Sequence, residues 1–178
     1  SGAGQAMDGE LTTEECLRVL DELASLKVFQ INIGGGEPFL RPDFFDILHY
    51  AEKLGIVSCV STNGSLMDPE TCKRLAAIDG LYLQVSLDAA DEASNDAIRG
   101  EGAYKKALGA LDQLSRHAIP FSINTVLTRI SFPQIDTLKA MARDLGANLR
   151  VSRFRPSGRA QECRQELSPT RDQLESFS

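Results

Sequence analysis

The feature that most constrains this chain is an alternation. Short β-rich runs and helical patterns follow one another at a spacing of roughly thirty residues. Residues 28–33, 56–60, 81–87, 121–127 and 149–154 read as strands. Helical periodicity covers 10–26, where Thr12 stands as the cap, and 42–54, with Asp43 near its start and Gly55 at its end. Asp68-Pro69-Glu70 opens the next helix. Residues 91–118 are helical with a break near Gly100 and Gly102, 133–145 are helical up to Gly146, and Ser168-Pro169-Thr170 starts a last helix. About five β–α units in succession imply an α/β fold with parallel strands and helices packed outside. An open doubly wound sheet and a barrel both satisfy that order.

The two faces of the strands separate these folds. Alternate residues point to opposite sides of a strand. One set is apolar: Phe29, Ile31 and Ile33, then Leu83, Val85 and Leu87, then Phe121 and Ile123. These are expected to pack on helices. The other set is polar: Gln30 and Asn32, Ser58 and Thr62, Gln84, Ser86 and Asp88, Ser122 and Asn124, Arg150 and Ser152. Strands covered by helices on both faces are apolar throughout. Burying so many polar groups without partners would be costly. The polar set therefore lines a wet cavity or meets a polar ligand, which favours a partial parallel (β/α) barrel of TIM-like type. A solvent-exposed face left by a missing covering element is the alternative.

Bulk properties exclude several classes. The 178 residues suffice for one domain with a sizeable core, and the net charge of −6 argues against a nucleic-acid partner. No apolar run reaches the length of a membrane span, and no signal peptide is visible, so a cytoplasmic location is expected. Cys16, Cys59, Cys72 and Cys163 are too far apart to form a C-x-x-C metal motif and read as reduced, buried residues. His49 and His117 fall on helix patterns as surface residues. Ser1, rather than Met, begins the sequence, which reads as a trimmed chain.

The chemistry collects at strand ends. Gly34-Gly35-Gly36-Glu37-Pro38 directly follows a strand. Its glycines let backbone approach a ligand. Glu37 inside the turn repels phosphate, so the turn suits an amine, and the dinucleotide fingerprint G-x-G-x-x-G is absent. A tight strand-to-helix connection explains the glycines equally well. In chain order come Ser61-Thr62-Asn63-Gly64, Ser86-Leu87-Asp88, Asn95-Asp96-Ala97-Ile98-Arg99, the strand 121–128, and Arg153-Phe154-Arg155-Pro156-Ser157-Gly158-Arg159.

In their order and spacing these segments resemble the radical S-adenosylmethionine enzymes, and the match runs from about Leu11 to Thr170. Within that family the chain looks most like peptide-modifying members with a C-terminal auxiliary-cluster (SPASM-type) domain. The resemblance implies an enzyme that reductively cleaves S-adenosylmethionine to a 5′-deoxyadenosyl radical, which takes a hydrogen atom from a peptide or cofactor precursor. It implies that Gly34, Gly35, Gly36 and Glu37 hold the methionine amine and Arg99 its carboxylate. Ser86 and Asp88 would hold the ribose, with Asn124 and Val126 flanking the adenine and Thr62 and Asn63 forming a further turn of the site. Each has a plainer reading: a solvated helix arginine for Arg99, caps for Ser86 and Asp88, a turn for Asn63-Gly64. Arg153, Arg155 and Arg159 read as solvated residues or, alternatively, as contacts to an acidic peptide.

The departure from the family is its C-x-x-x-C-x-x-C cluster motif, which these cysteines cannot reproduce. The expectation is therefore one truncated core domain over 1–178, without its first strand, its cluster loop and the auxiliary domain. Such a piece would be inactive alone and unable to bind the 4Fe–4S cluster that the parent protein carries beside a reductant protein. Its 28–33 edge would be open to dimerisation. The rival readings are a cluster-free barrel binding a small metabolite or phosphate, and a non-catalytic binding module.

Overall fold

The computed structural model describes residues 9–155 and 164–176. Five parallel strands stand in sequence order: β1 (Gln30–Ile33), β2 (Val57–Thr62), β3 (Leu81–Ser86), β4 (Phe121–Leu127) and β5 (Asn148–Arg153). They curl into a half-barrel with helices alternating between them. The helices are α1 (Thr13–Ser25), α2 (Phe44–Lys53), α3 (Pro69–Leu75), α4 (Glu92–Arg99), α5 (Ala103–Arg116), α6 (Ile135–Asp144), α7 (Arg164–Leu167) and α8 (Arg171–Ser176). Short 3-10 turns at Pro38–Leu40 and Phe132–Gln134 lead into α2 and α6. Among the described residues β1 and β5 are the sheet edges, and no helix is long and apolar enough to cross a membrane. Arg159 and Cys163 lie outside the described residues.

Local chemistry accounts for most boundaries. Thr12 and Glu15 form a reciprocal capping box that starts α1. Asp68 accepts from the Thr71 N–H and starts α3 with Pro69 in its first turn. The break between α4 and α5 falls at Gly100–Gly102, where both glycines have positive φ. Four helices return to the sheet through the same bond, from the third residue beyond the helix to a carbonyl in its last turn: Val28 N to Leu23 O, Ile56 N to Ala51 O, Ile119 N to Leu114 O, and Ala147 N to Ala142 O. Gly55 and Gly146 fill the left-handed position in two of them. Lys27 and Ala118 fill it in the others, which no sequence signal announces.

The convex face of the sheet and the helices share the main core, with Val60, Leu83, Val85, Leu87 and Ile123 almost solvent-free against Leu48, Leu111, Leu114 and Leu138. A smaller cluster joins α1 and α2 through Leu20, Ile47, Ala51 and Ile56. Two face expectations are overturned. Phe29 precedes β1 and is 77% exposed instead of packing on helices. Ser58 and Thr62 pair with Leu81 and Val85, so they face the helices, and Val57, Cys59 and Ser61 face the concave side. Val57 to Thr62 carries small or polar residues on both faces. Its alternation therefore did not fix its phase; pairing with the strongly patterned β3 did.

Candidate functional site

The C-terminal ends of the strands form a cleft of about 1170 Å³. Its walls begin with the Gly turn after β1. Gly35 adopts φ +137°, which lets the chain swing from the strand into the 3-10 turn. Glu37 caps that turn and is 6% exposed. Its Oε1 accepts the Thr62 hydroxyl at 2.8 Å, and its Oε2 accepts the Asn63 N–H at 2.7 Å. The Thr62 oxygen in turn accepts the Gly64 N–H at 3.0 Å. Glu37 thus ties the loop after β1 to the loop after β2. Its Oε2 keeps acceptor capacity for one more donor. Gly64 is pinned in place: at φ +80°, a Cβ there would stand 2.7 Å from that of Ala110 on α5.

The end of β3 is held as tightly. Asp88 is 2% exposed. Its Oδ1 accepts the Val126 N–H at 2.7 Å, and its Oδ2 meets Arg99 Nε at 2.8 Å as an ion pair. Asn95, fully buried on α4, accepts the Asp88 N–H at 2.9 Å. Asp96 is held below the usual carboxylate range, chiefly by the Tyr104 N–H and also by that of Gly102. It thereby caps α5 from α4, at a start where Gly102 offers no side chain. After β4, the Ser131 hydroxyl donates to the Val126 carbonyl and closes the loop from Thr128.

Of the residues singled out in the sequence, Gly35, Gly36, Glu37, Asn63, Ser86, Asp88, Arg99 and Val126 line this one cleft. Gly34, Thr62 and Asn124 do not line it. Thr62 faces the helices and supports Glu37. Asn124 pairs with Ser86 on the concave face and accepts the Ser152 hydroxyl at 3.2 Å. Sequence reasoning gives no role to Asp96, Glu101, Lys106, Thr128 or Glu166 in the wall. Thr128 was findable, since it directly follows a strand; α5 and α7 reach the cleft only through tertiary packing. Arg153, the last residue of β5, and Arg155 just beyond it are exposed on the wall.

The cleft mixes both signs of charge: Glu37, Asp88, Asp96, Glu101 and Glu166 line it together with Arg99, Lys106, Arg153 and Arg155. That suits a ligand carrying both signs, such as an amino acid joined to a sulfonium, better than a polyphosphate. For a metal cluster the donor set does not fit. Among the described residues no group of three or more His, Cys, Asp and Glu could hold a metal ion. Cys16, Cys59 and Cys72 stand apart on α1, β2 and α3.

A parallel half-barrel with its polar cleft at the C-terminal strand ends places the chain among (β/α)-barrel ligand-binding cores. The family model for the Radical SAM superfamily matches residues 4–141, and the chain belongs to that superfamily. Mycofactocin maturase MftC of Mycobacterium ulcerans (strain Agy99) is 43% identical over 171 residues, which cover 96% of this chain and 46% of the relative. PqqA peptide cyclase of Gluconobacter oxydans (strain 621H) is 32% identical over 168 residues, covering 93% and 44%. Among solved structures, Streptococcus suis SuiB bound to S-adenosylmethionine matches with a TM-score of 0.79 at 18% identity, over 97% of this chain and 41% of that one, a likeness of fold. The chain spans about half the length of the curated relatives it matches.

Proposed function

We propose that this chain is the S-adenosylmethionine-binding part of a radical enzyme that modifies a peptide. The observation that carries the reading is the convergence of Gly35, Gly36, Glu37, Ser86, Arg99 and Val126 on one cleft of mixed charge at the strand ends. The superfamily uses S-adenosylmethionine and a 4Fe–4S cluster, and two relatives are named as a maturase and a peptide cyclase. Bound in the cleft, S-adenosylmethionine supplies its C5′–S bond for radical chemistry. The carbonyls of the Gly turn and the free acceptor position of Glu37 receive the ligand's amine. Arg99 offers the guanidinium nitrogens not facing Asp88 to its carboxylate. Ser86 on β3 and the backbone of Val126 border the ribose and adenine. Gly34 leads into this turn, Thr62 supports Glu37 from behind, and Asn124 stands beside Ser86. Asp88, 2% exposed, acts through Arg99 and Val126, which its two oxygens hold. No step through the cluster is assigned to these residues.

Calorimetric titration with S-adenosylmethionine tests the reading. Binding that weakens about tenfold in Glu37→Ala and in Arg99→Ala, each losing one charge-assisted contact, supports it. Binding of inorganic phosphate in place of S-adenosylmethionine would overturn it in favour of a phosphate-binding barrel, which Glu37 inside the turn opposes.

A further inference from the structure

We propose that the floor of the half-barrel, below the rim cleft, is a carboxylate-binding subsite centred on Arg150. Resting on the peptide reading above, it takes a carboxylate carried by the substrate. The floor is a separate basin of about 410 Å³ on the concave face, reaching Gln30, Tyr82, Ser122 and Asn148 near the strand starts. Strand pairing sets its geometry. Gln84 pairs with Ser122 and Ser122 with Asn148, which makes a lateral row of polar side chains on one face. Adjacent strands lie about 4.8 Å apart. Arg150 stands two residues beyond Asn148 on the same face.

These groups are unengaged. Among the described residues, the side chains of Tyr82, Ser122, Asn148 and Arg150 make no hydrogen bond or ion pair with the protein. Ser122 is 3% exposed, lines the basin, and its hydroxyl has no partner. A buried hydroxyl left so is an unmet hydrogen-bond demand. Among the described residues no carboxylate lines the basin, although the chain as a whole carries −6. Arg150 is therefore an unpaired positive charge amid neutral groups able to donate.

That arrangement selects among anions. The planar guanidinium fork matches a carboxylate through two parallel bonds. One cation balances one negative charge, whereas a phosphate monoester carries about −1.5 to −2 at neutral pH. Position adds the functional link. Ser86, two residues beyond Gln84 on the same face, lines the rim cleft. Two residues of strand span about 7 Å. Arg150 starts level with Ser86, through Asn124, and its side chain lines the basin, so a substrate held there by its carboxylate presents its neighbouring atoms to the rim.

Amide chemical-shift titration of the chain tests this with three probes: acetyl-Ala-Glu-Ala-amide, acetyl-Ala-Ala-Ala with a free C-terminus, and acetyl-Ala-Gln-Ala-amide. The expected result is binding of one or both carboxylate peptides, about tenfold tighter than the glutamine peptide, with shifts on β3, β4 and β5. Which carboxylate peptide binds separates a side-chain source from a chain terminus. Arg150→Gln should abolish the discrimination, and Ser122→Ala should weaken binding about threefold, as for one lost hydrogen bond. Arg143→Gln, on the outer face of α6, should change nothing. Equal losses in Arg150→Gln and Arg143→Gln, a loss confined to Arg153→Gln at the rim, or no discrimination at all would overturn the proposal. Carboxylate discrimination without any S-adenosylmethionine binding would support the subsite and overturn only the cofactor reading.

Discussion

At the rim of the sheet the polar side chains hold one another, and on its floor Gln84 accepts from Ser61 while most of its neighbours make no such bond. Glu37 is tied to Thr62 and Asn63, and Asp88 to Arg99, Val126 and Asn95. Tyr82, Ser122 and Asn148 have comparable chemistry, but they make no such bonds among the described residues. Rim residues come from loops after different strands, so their bonds fix loop positions that the sheet alone leaves free. Floor residues stand on paired strands, which the backbone ladder already fixes. The rim is organised before any ligand arrives, which lowers the cost of ordering it on binding. The floor, where the Ser61–Gln84 bond is long at 3.4 Å, keeps the donors of Tyr82, Ser122, Asn148 and Arg150 for what it meets.

Stability measurements on single variants sharpen this contrast. The largest effect is expected for Arg99→Met, which leaves the buried Asp88 carboxylate without its cation; a loss of about 3 kcal/mol in urea unfolding is expected. An unchanged midpoint would show that Asp88 is held by backbone alone. Gly64→Ala should follow at about 2 kcal/mol, because it adds a left-handed strain to a 2.7 Å approach to Ala110. The matching change at the open Gly35, where a Cβ would meet no atom within 4 Å, should cost less.

Asp96 gives a pH signature of the rim. Its folded value lies below the ordinary carboxylate value because the Tyr104 and Gly102 N–H groups donate to the charged form. Its contribution is therefore complete above the unfolded value, about 4. It is lost as the pH falls through the lower folded value. Asp96→Asn should flatten that acid limb of the stability profile, and an unaltered slope below about pH 4 would remove Asp96 from the account. The smallest effect, and one of opposite sign, belongs to the floor. Ser122→Ala deletes a buried hydroxyl that has no partner. It should be neutral or stabilise by up to about 1 kcal/mol. A clear loss of stability would mean that this hydroxyl is engaged and would break the comparison.

Much of the cleft lining was legible because strand ends are where a parallel barrel opens its cleft. Gly35, Glu37, Ser86 and Val126 each follow or end a strand, so reading the strands found them. Arg99 was found through its place in a segment order resembling a family. The plain physical signal at Arg99, a cation seven residues past the start of a helix, would not have chosen it. Thr62 was misassigned because Val57 to Thr62 carries small or polar residues on both faces, and nothing local sets which side turns inward. The Asp88–Arg99 pair was read as two ligand contacts. Only folding showed that α4 returns across the end of β3 and brings the two charges together.

By itself the sequence determined the parallel β–α order, the caps of α1 and α3, the break before α5, and the polar concave face. These follow from periodicities and capping chemistry that act within a few residues. Tertiary structure alone decided the phase of β2, the network that holds Glu37 and Asp88, and the unengaged state of Ser122 and Arg150. Each of these depends on which distant residue arrives alongside: 25 positions separate Glu37 from Thr62, and 38 separate Asp88 from Val126. A hydrogen bond is made or left open by distances that the packed sheet and helices set, and no local pattern encodes them.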